Sequence, residues 1–216
     1  MKSQFKAYVK IYFYIYIAVL VLTFLVTCVI NYLQSSQPNT AILIDFSVKN
    51  IIDSALFAVS PALVVMGIFN KYLWHFKIIK GLLSIDVPFI EGRWEGYILS
   101  TYTQHKKKHT IAIEFSQSLT GLHVWYYDGN AITHSMISDI ILDADGGPPR
   151  VLCIYDNNPI VNRDTGLTRH IGVMEMFVLA NEDKIEGTYF NNPVQKNTYG
   201  EIHISFVSRK RKKSFQ

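Results

Sequence analysis

The chain has 216 residues, 49% of them hydrophobic, and a formal net charge of +4. Two cysteines in unlike settings, Cys28 and Cys153, exclude a disulfide framework and a zinc module. The charge matters less for its size than for its placement, because the apolar residues are concentrated before Asn70 and the basic ones flank them.

The first element is "IYFYIYIAVLVLTFLVTCVI", Ile11 to Ile30, without a single charge. Its length matches the roughly 20 residues that carry a helix across the hydrocarbon core. Tyr8, Tyr12, Tyr14 and Tyr16 cluster at its start, where aromatic rings favour the membrane interface. The run is too long for the apolar region of a cleaved signal peptide, and "NYLQSSQ" follows in place of a small-residue cleavage site.

The second run, Ile51 to Phe69, also predicts a span, with Asp53 near one interface and Pro61 bending the helix. Ser54, Ala58 and Ala62 recur every fourth residue, a face that lets helices approach closely and predicts self-association in the bilayer. Two helices make a poor pore alone, so a role in the membrane implies a homo-oligomer. Lys2, Lys6 and Lys10 precede the first span, and Lys71, Lys77 and Lys80 follow the second. The excess of positive charge on the cytoplasmic side then predicts cytoplasmic termini and a short outer loop.

A membrane-proximal helix is expected to end before Pro88, closing a first region of residues 1–87. β-Branched and aromatic runs then alternate with turn signals, predicting strands at about 93–103, 109–118, 121–128, 131–142, 150–157, 169–180, 183–191 and 198–209. "YDGN" is a hairpin signal, and "DADGGPP" cannot continue a strand. Successive hairpins make an antiparallel meander, and eight strands suffice to close one into a small barrel. The expected fold is therefore two transmembrane α-helices followed by an all-β, eight-stranded up-and-down barrel over 88–209, with a β-sandwich as the competitor. A basic tail, 210–216, closes the chain and reads as a solvated end.

"EGRWEGYI", residues 91–98, opens the barrel. Gly92 and Gly96 permit close backbone approach, and Trp94 between them is expected to plug the end nearest the membrane. The connections after strands one, three, five and seven then form the opposite rim. They are long, basic and rich in amides and tyrosines, a chemistry suited to phosphates and bases. The predicted ligand residues are Tyr102, Lys106, Lys107, Tyr127, Asn157, Arg163, Arg169, Asn191, Lys196 and Tyr199.

Signs of catalysis are lacking. The seven histidines form no His-Glu-x-x-His and no Gly-x-Ser-x-Gly, phosphate loop or dinucleotide fingerprint occurs. Asp143 and Asp145 echo a calcium loop that lacks its closing glutamate. Glu114, Glu175 and Glu186 are expected at solvated outward positions. No enzyme, cofactor or metal is expected.

Two spans, a short loop and a meander opening with "GRWEGYI" and carrying "KIEGTYFNN" near its end resemble the SMODS-associated two-transmembrane, β-strand-rich effectors of bacterial CBASS anti-phage systems. The resemblance covers nearly the whole chain. It implies a barrel that binds a cyclic dinucleotide or related cyclic oligonucleotide, not a nucleic acid polymer, made by an associated nucleotidyltransferase. It further implies oligomerisation, disruption of the inner membrane and death of the infected cell. Two rival readings stay open: a membrane-anchored barrel carrying an apolar metabolite or lipid, and a structural anchor recruiting a partner through its "RKRKK" tail.

Overall fold

The computed structural model describes residues 2–34, 48–105, 107–129, 131–143, 146–159, 169–179, 182–191 and 198–215. It divides into two compact units, Met1–Leu83 and Ser84–Gln216.

The first unit is helical. α1 (Lys2–Gln34) has 33 residues, and at 1.5 Å rise per residue it extends about 50 Å, beyond the hydrocarbon thickness. α2 (Val48–Ile68) runs through Pro61 without a break and continues into a π-helical turn at Phe69–Leu73. A short α3 (Lys77–Leu83) follows. The stretches Ile11–Ile30 and Ile52–Leu73 are long and apolar enough to cross a membrane. α1 and α2 pack together: the Tyr16 hydroxyl donates to the Ala55 carbonyl at 3.5 Å, and the Tyr12 hydroxyl to Asn70 Oδ1 at 3.2 Å. Ser54, Ala58 and Ala62 are buried in this unit, so within one chain the small-residue face is already covered.

The second unit is a closed barrel, with eight strands among the described residues in sequence order around it. They are β1 (Gly92–Ser100), β2 (Lys108–Ser118), β3 (Gly121–Tyr127), β4 (Ala131–Ile141), β5 (Arg150–Pro159), β6 (His170–Val178), β7 (Lys184–Asn191) and β8 (Thr198–Ser208). Every neighbouring pair is antiparallel, and β1 pairs with β8 to complete the ring, so neither terminal strand is a free edge; the β3–β4 ladder is short, residues 125–127 against 132–134. Two glycines let the strands coil this tightly. A Cβ on Gly96 would fall 2.0 Å from the His203 carbonyl, and one on Gly187 would fall 2.1 Å from that of Glu175.

One end of the barrel is plugged. Trp94 is fully buried, its ring edge-on to Phe115 and Phe206 at centroid distances of 6.1 and 5.5 Å. Its indole N–H donates to the Ile90 carbonyl at 2.9 Å. The Gln117 side chain accepts from Ile90 N–H and donates to the Pro88 carbonyl, both at 2.8 Å. The segment leading into β1 is thereby drawn across the barrel end as a floor, with the Pro88 carbonyl and both backbone groups of Ile90 satisfied.

The C-terminal tail differs from the expected loose end. It folds back over the outside of β1, β2 and β3. Arg93 donates to the Ser214 and Phe215 carbonyls at 2.6 and 2.7 Å, while Glu114 accepts from the backbone N–H groups of Lys212 and Lys213. Arg209 lies over the rings of Phe89 and Phe206, each 4.5 Å from the centroid. Glu114 does point outward, yet the tail covers it to 1% exposure; it is not solvated. Its outward position and its burial are compatible because the covering comes from a segment 98 residues away.

Candidate functional site

Alternation along the strands divides the barrel interior into two tiers. Near the floor the inward residues are apolar and closely packed: Ile113 and Phe115 on β2, Val151 and Cys153 on β5, Met174 and Met176 on β6, and Ile202 and Ile204 on β8. Burial pushes the Cys153 thiol up to about 12, which keeps it a neutral packing group.

Toward the other end the inward residues turn polar. Register places Tyr126 opposite Thr133, Tyr155 opposite Gly172, Asn157 opposite His170, and Tyr189 opposite Gly200. All of these face the barrel axis. The Thr133 hydroxyl donates to Asn157 Oδ1 at 2.6 Å, and the Asn157 amide lies 3.4 Å from His170 Nε2. The Tyr155 hydroxyl donates to Asn191 Oδ1, whose amide donates to Thr198 Oγ1 at 3.1 Å. Asn157 is thus held between a hydroxyl and an imidazole, and Asn191 between a phenol and a hydroxyl, in the half of the barrel away from the floor.

Two glycines set how the inward-facing rings lie. A Cβ on Gly172 would fall 2.4 Å from the Tyr155 ring and 2.7 Å from Asn191 Oδ1; one on Gly200 would fall 2.7 Å from the Tyr189 ring. The glycines let both rings lie back against the wall. Tyr126 and Tyr189 keep accessible surface although they face inward. Burial holds the Tyr155 and Tyr189 phenols above their ordinary range, and burial with the nearby Asp128 carboxylate does the same for Tyr126. All three remain neutral hydroxyls that donate and accept, beside faces on which a base can stack.

The residues anticipated at this rim separate into groups. Asn157 and Asn191 line the polar tier. Tyr127 does not: it faces the outer wall, buried beside Arg93, Glu114 and Arg211 beneath the tail, and its neighbour Tyr126 takes the inward place. Tyr199 also faces outward, 58% exposed, next to His105. Arg169 is on the outside in a forked pair with Asp156, its Nε at 3.0 and 3.1 Å and a terminal nitrogen at 2.6 Å. Lys107 is exposed in the loop after β1, and the backbone of Tyr102 forms a short 3₁₀ turn there. Lys106, Arg163 and Lys196 lie outside the described residues. In that same loop Gln104 and His105 both take positive φ, of 51° and 57°, an uncommon choice for consecutive non-glycine residues.

Tyr126, Thr133, Tyr155, His170 and Tyr189 were not anticipated. The available signal was the two-residue period of the strands, which separates inward from outward once one residue is anchored. Asn157 anchors β5, and Tyr155 follows from it.

A family model described as Cap15, cyclic dinucleotide receptor domain, matches residues 85–205, more than half of the chain and nearly all of the barrel unit. No curated protein matches the sequence.

Proposed function

The chain belongs to the Cap15 cyclic dinucleotide receptor family, and from that premise we propose that it is a ligand-gated CBASS effector anchored in the bacterial inner membrane. A cyclic dinucleotide enters the open end of the barrel and rests on the polar tier. Its bases meet the faces of Tyr126, Tyr155 and Tyr189 and the amides of Asn157 and Asn191. The rim lysines, among them Lys106, Lys107 and Lys196, meet its phosphates together with Arg163. The barrel performs no reaction in this reading. Binding favours an assembled state in which several pairs of spans disrupt the bilayer, and the ligand achieves this only by binding that state more tightly.

The observation that carries the reading is the division of the barrel interior into a filled apolar floor and a polar, amide- and phenol-lined upper tier. The same observation weakens the apolar-carrier reading, because the apolar volume is taken up by Trp94, Phe115 and Phe206. Isothermal titration of the full chain in lipid nanodiscs against a panel of cyclic dinucleotides tests it, with the linear dinucleotides as controls. Saturable heat with one cyclic compound is expected; no heat with any would sink the receptor assignment.

A further inference from the structure

The π-helical turn at the end of α2 closes with the Trp74 N–H donating to the Phe69 carbonyl at 3.2 Å, and the Phe76 N–H then donates to the Leu73 carbonyl in a turn. Residues 74–76 alone separate the apolar stretch Ile52–Leu73 from α3. On α3, Ile78 is 86% and Leu82 81% exposed, more than any large apolar residue described on α1 or α2, where Phe57 at 77% comes nearest. The two lie four residues apart and so share one face.

We infer that α3 lies in the headgroup region of the leaflet where α2 ends, with Ile78 and Leu82 among the acyl chains and Lys77 and Lys80 at anionic headgroups. This rests on the reading above that α1 and α2 span a membrane. At about 100° per residue, Ile78, Ile79, Leu82 and Leu83 fill one arc of about 140°, and Lys77 and Lys80 fall opposite its centre. An apolar arc with lysines across from it is the pattern of a helix lying in an interface. α3 has seven residues, and isolated helices shorter than about 12 are marginal in water, so a surface must hold it.

Continuity and charge select lipid as that surface. The Tyr12 hydroxyl on Asn70 ties the start of α1 to the end of α2, and the exposed rings of Tyr72 and Phe76 follow within a few residues. Aromatic rings at the ends of spans mark the membrane interface, and α3 begins directly after them. No acidic residue occurs between Asp53 and Asp86, whereas Lys71, Lys77 and Lys80 all fall there. A segment of that sign beside a span is drawn to an anionic leaflet. In chain order α3 stands between the spans and the barrel, so headgroup charge becomes an input to how a change in the barrel reaches the spans.

The test is spin labelling of the full chain in nanodiscs containing phosphatidylglycerol. Cys28→Ala removes the more accessible native thiol, and Cys153 is buried and stays unlabelled. A nitroxide is placed singly at positions 77, 78, 80 and 82, with exposed positions 63 on α2 and 201 on β8 as references for lipid and water. Labels at 78 and 82 should relax with oxygen and not with a water-soluble nickel complex, at about 5–10 Å below the phosphates, and those at 77 and 80 should do the reverse. Nickel access at 78 and 82 equal to that at 201 overturns the inference. So does exclusion of both relaxants, because the barrel or another copy then covers α3. Lys77→Gln with Lys80→Gln should bring the label at 82 nearer the surface, to its depth in phosphatidylcholine discs; one depth in all three samples overturns the headgroup contact. With 63 in lipid, a solvated α3 overturns the inference alone and leaves the spans standing. A label at 63 open to nickel removes the spanning reading, and the lipid contact of α3 with it.

Discussion

Arg93 on β1 and Glu114 on β2 are register partners on the outside of the barrel, joined at 3.0 Å and each 1% exposed. Their burial comes from the tail: Lys212 and Lys213 donate backbone N–H groups to the same carboxylate, and Ser214 and Phe215 offer carbonyls to the same guanidinium. Burial alone would lower the Arg93 pKa; hydrogen bonds to Glu95 and Glu114 outweigh it and hold the value above the ordinary one.

Glu114→Ala leaves that guanidinium short of a partner under a lid of backbone. The loss expected is about 3 kcal/mol, the lower end for breaking a buried pair, because the cover is one strand of tail thick. Removing residues 209–215 instead lets water reach both charges and should cost less, about 1–2 kcal/mol. Thermal unfolding of the two variants checks the order, and a larger loss from the truncation would contradict it.

Asn157→Ala and Asn191→Ala should each weaken cyclic dinucleotide binding by roughly 10- to 100-fold, from lost contacts and from the partners left unmatched inside the barrel. Tyr127→Phe and Tyr199→Ala should change it by less than about twofold, since both side chains lie on the outer wall. Titration of the four variants checks the division between wall and interior.

Two glycines should fail differently. Gly172→Ala meets the far end of the Tyr155 ring, which can swing toward the axis; the variant should fold and bind poorly. Gly187→Ala meets the Glu175 carbonyl of the adjoining strand and should lose about 1–3 kcal/mol of stability. Melting temperature and ligand titration, read together, separate the two cases.

The tyrosines predict an alkaline limit. The pKa of Tyr155 is raised above the ordinary 10.0, so the unfolded chain releases its proton at a lower pH than the folded chain. Folding then favours the protonated phenol, and its stabilisation is complete below about pH 10 and is lost as pH rises further, by at most about 1.4 kcal/mol per pH unit for each such group. Tyr126 and Tyr189 shift in the same direction. Stability measured from pH 9 to 12 should fall less steeply for Tyr155→Phe than for the wild type.

In the helical unit, Ala58→Leu should separate α1 from α2, because Ala58 has no exposed surface. A spin-label distance between the two helices in nanodiscs should lengthen. An unchanged distance would show that the face has room to spare.

The two long apolar helices were legible because a long uncharged run satisfies its backbone groups within itself, as a helix, and nothing distant alters that. The strands were legible for a similar reason: β-branched alternation and the breakers at Gly146, Gly147, Pro148 and Pro149 act locally. Gly92, Trp94 and Gly96 also gave the plugged end, since a large ring flanked by side-chain-free positions fits few places. The residues of the polar tier needed more. Tyr126 and Tyr127 are adjacent and chemically alike, and a slip of one residue exchanges their faces. Only pairing fixed around the whole ring, by β1 meeting β8 and by the register shift at Ser135 and Ile137, decides that Tyr126 faces the axis. The tail needed most of all. "RKRKK" has the composition of a solvated end, and what holds it is a carboxylate and a guanidinium on strands about a hundred residues earlier, brought beneath it only when the barrel closes.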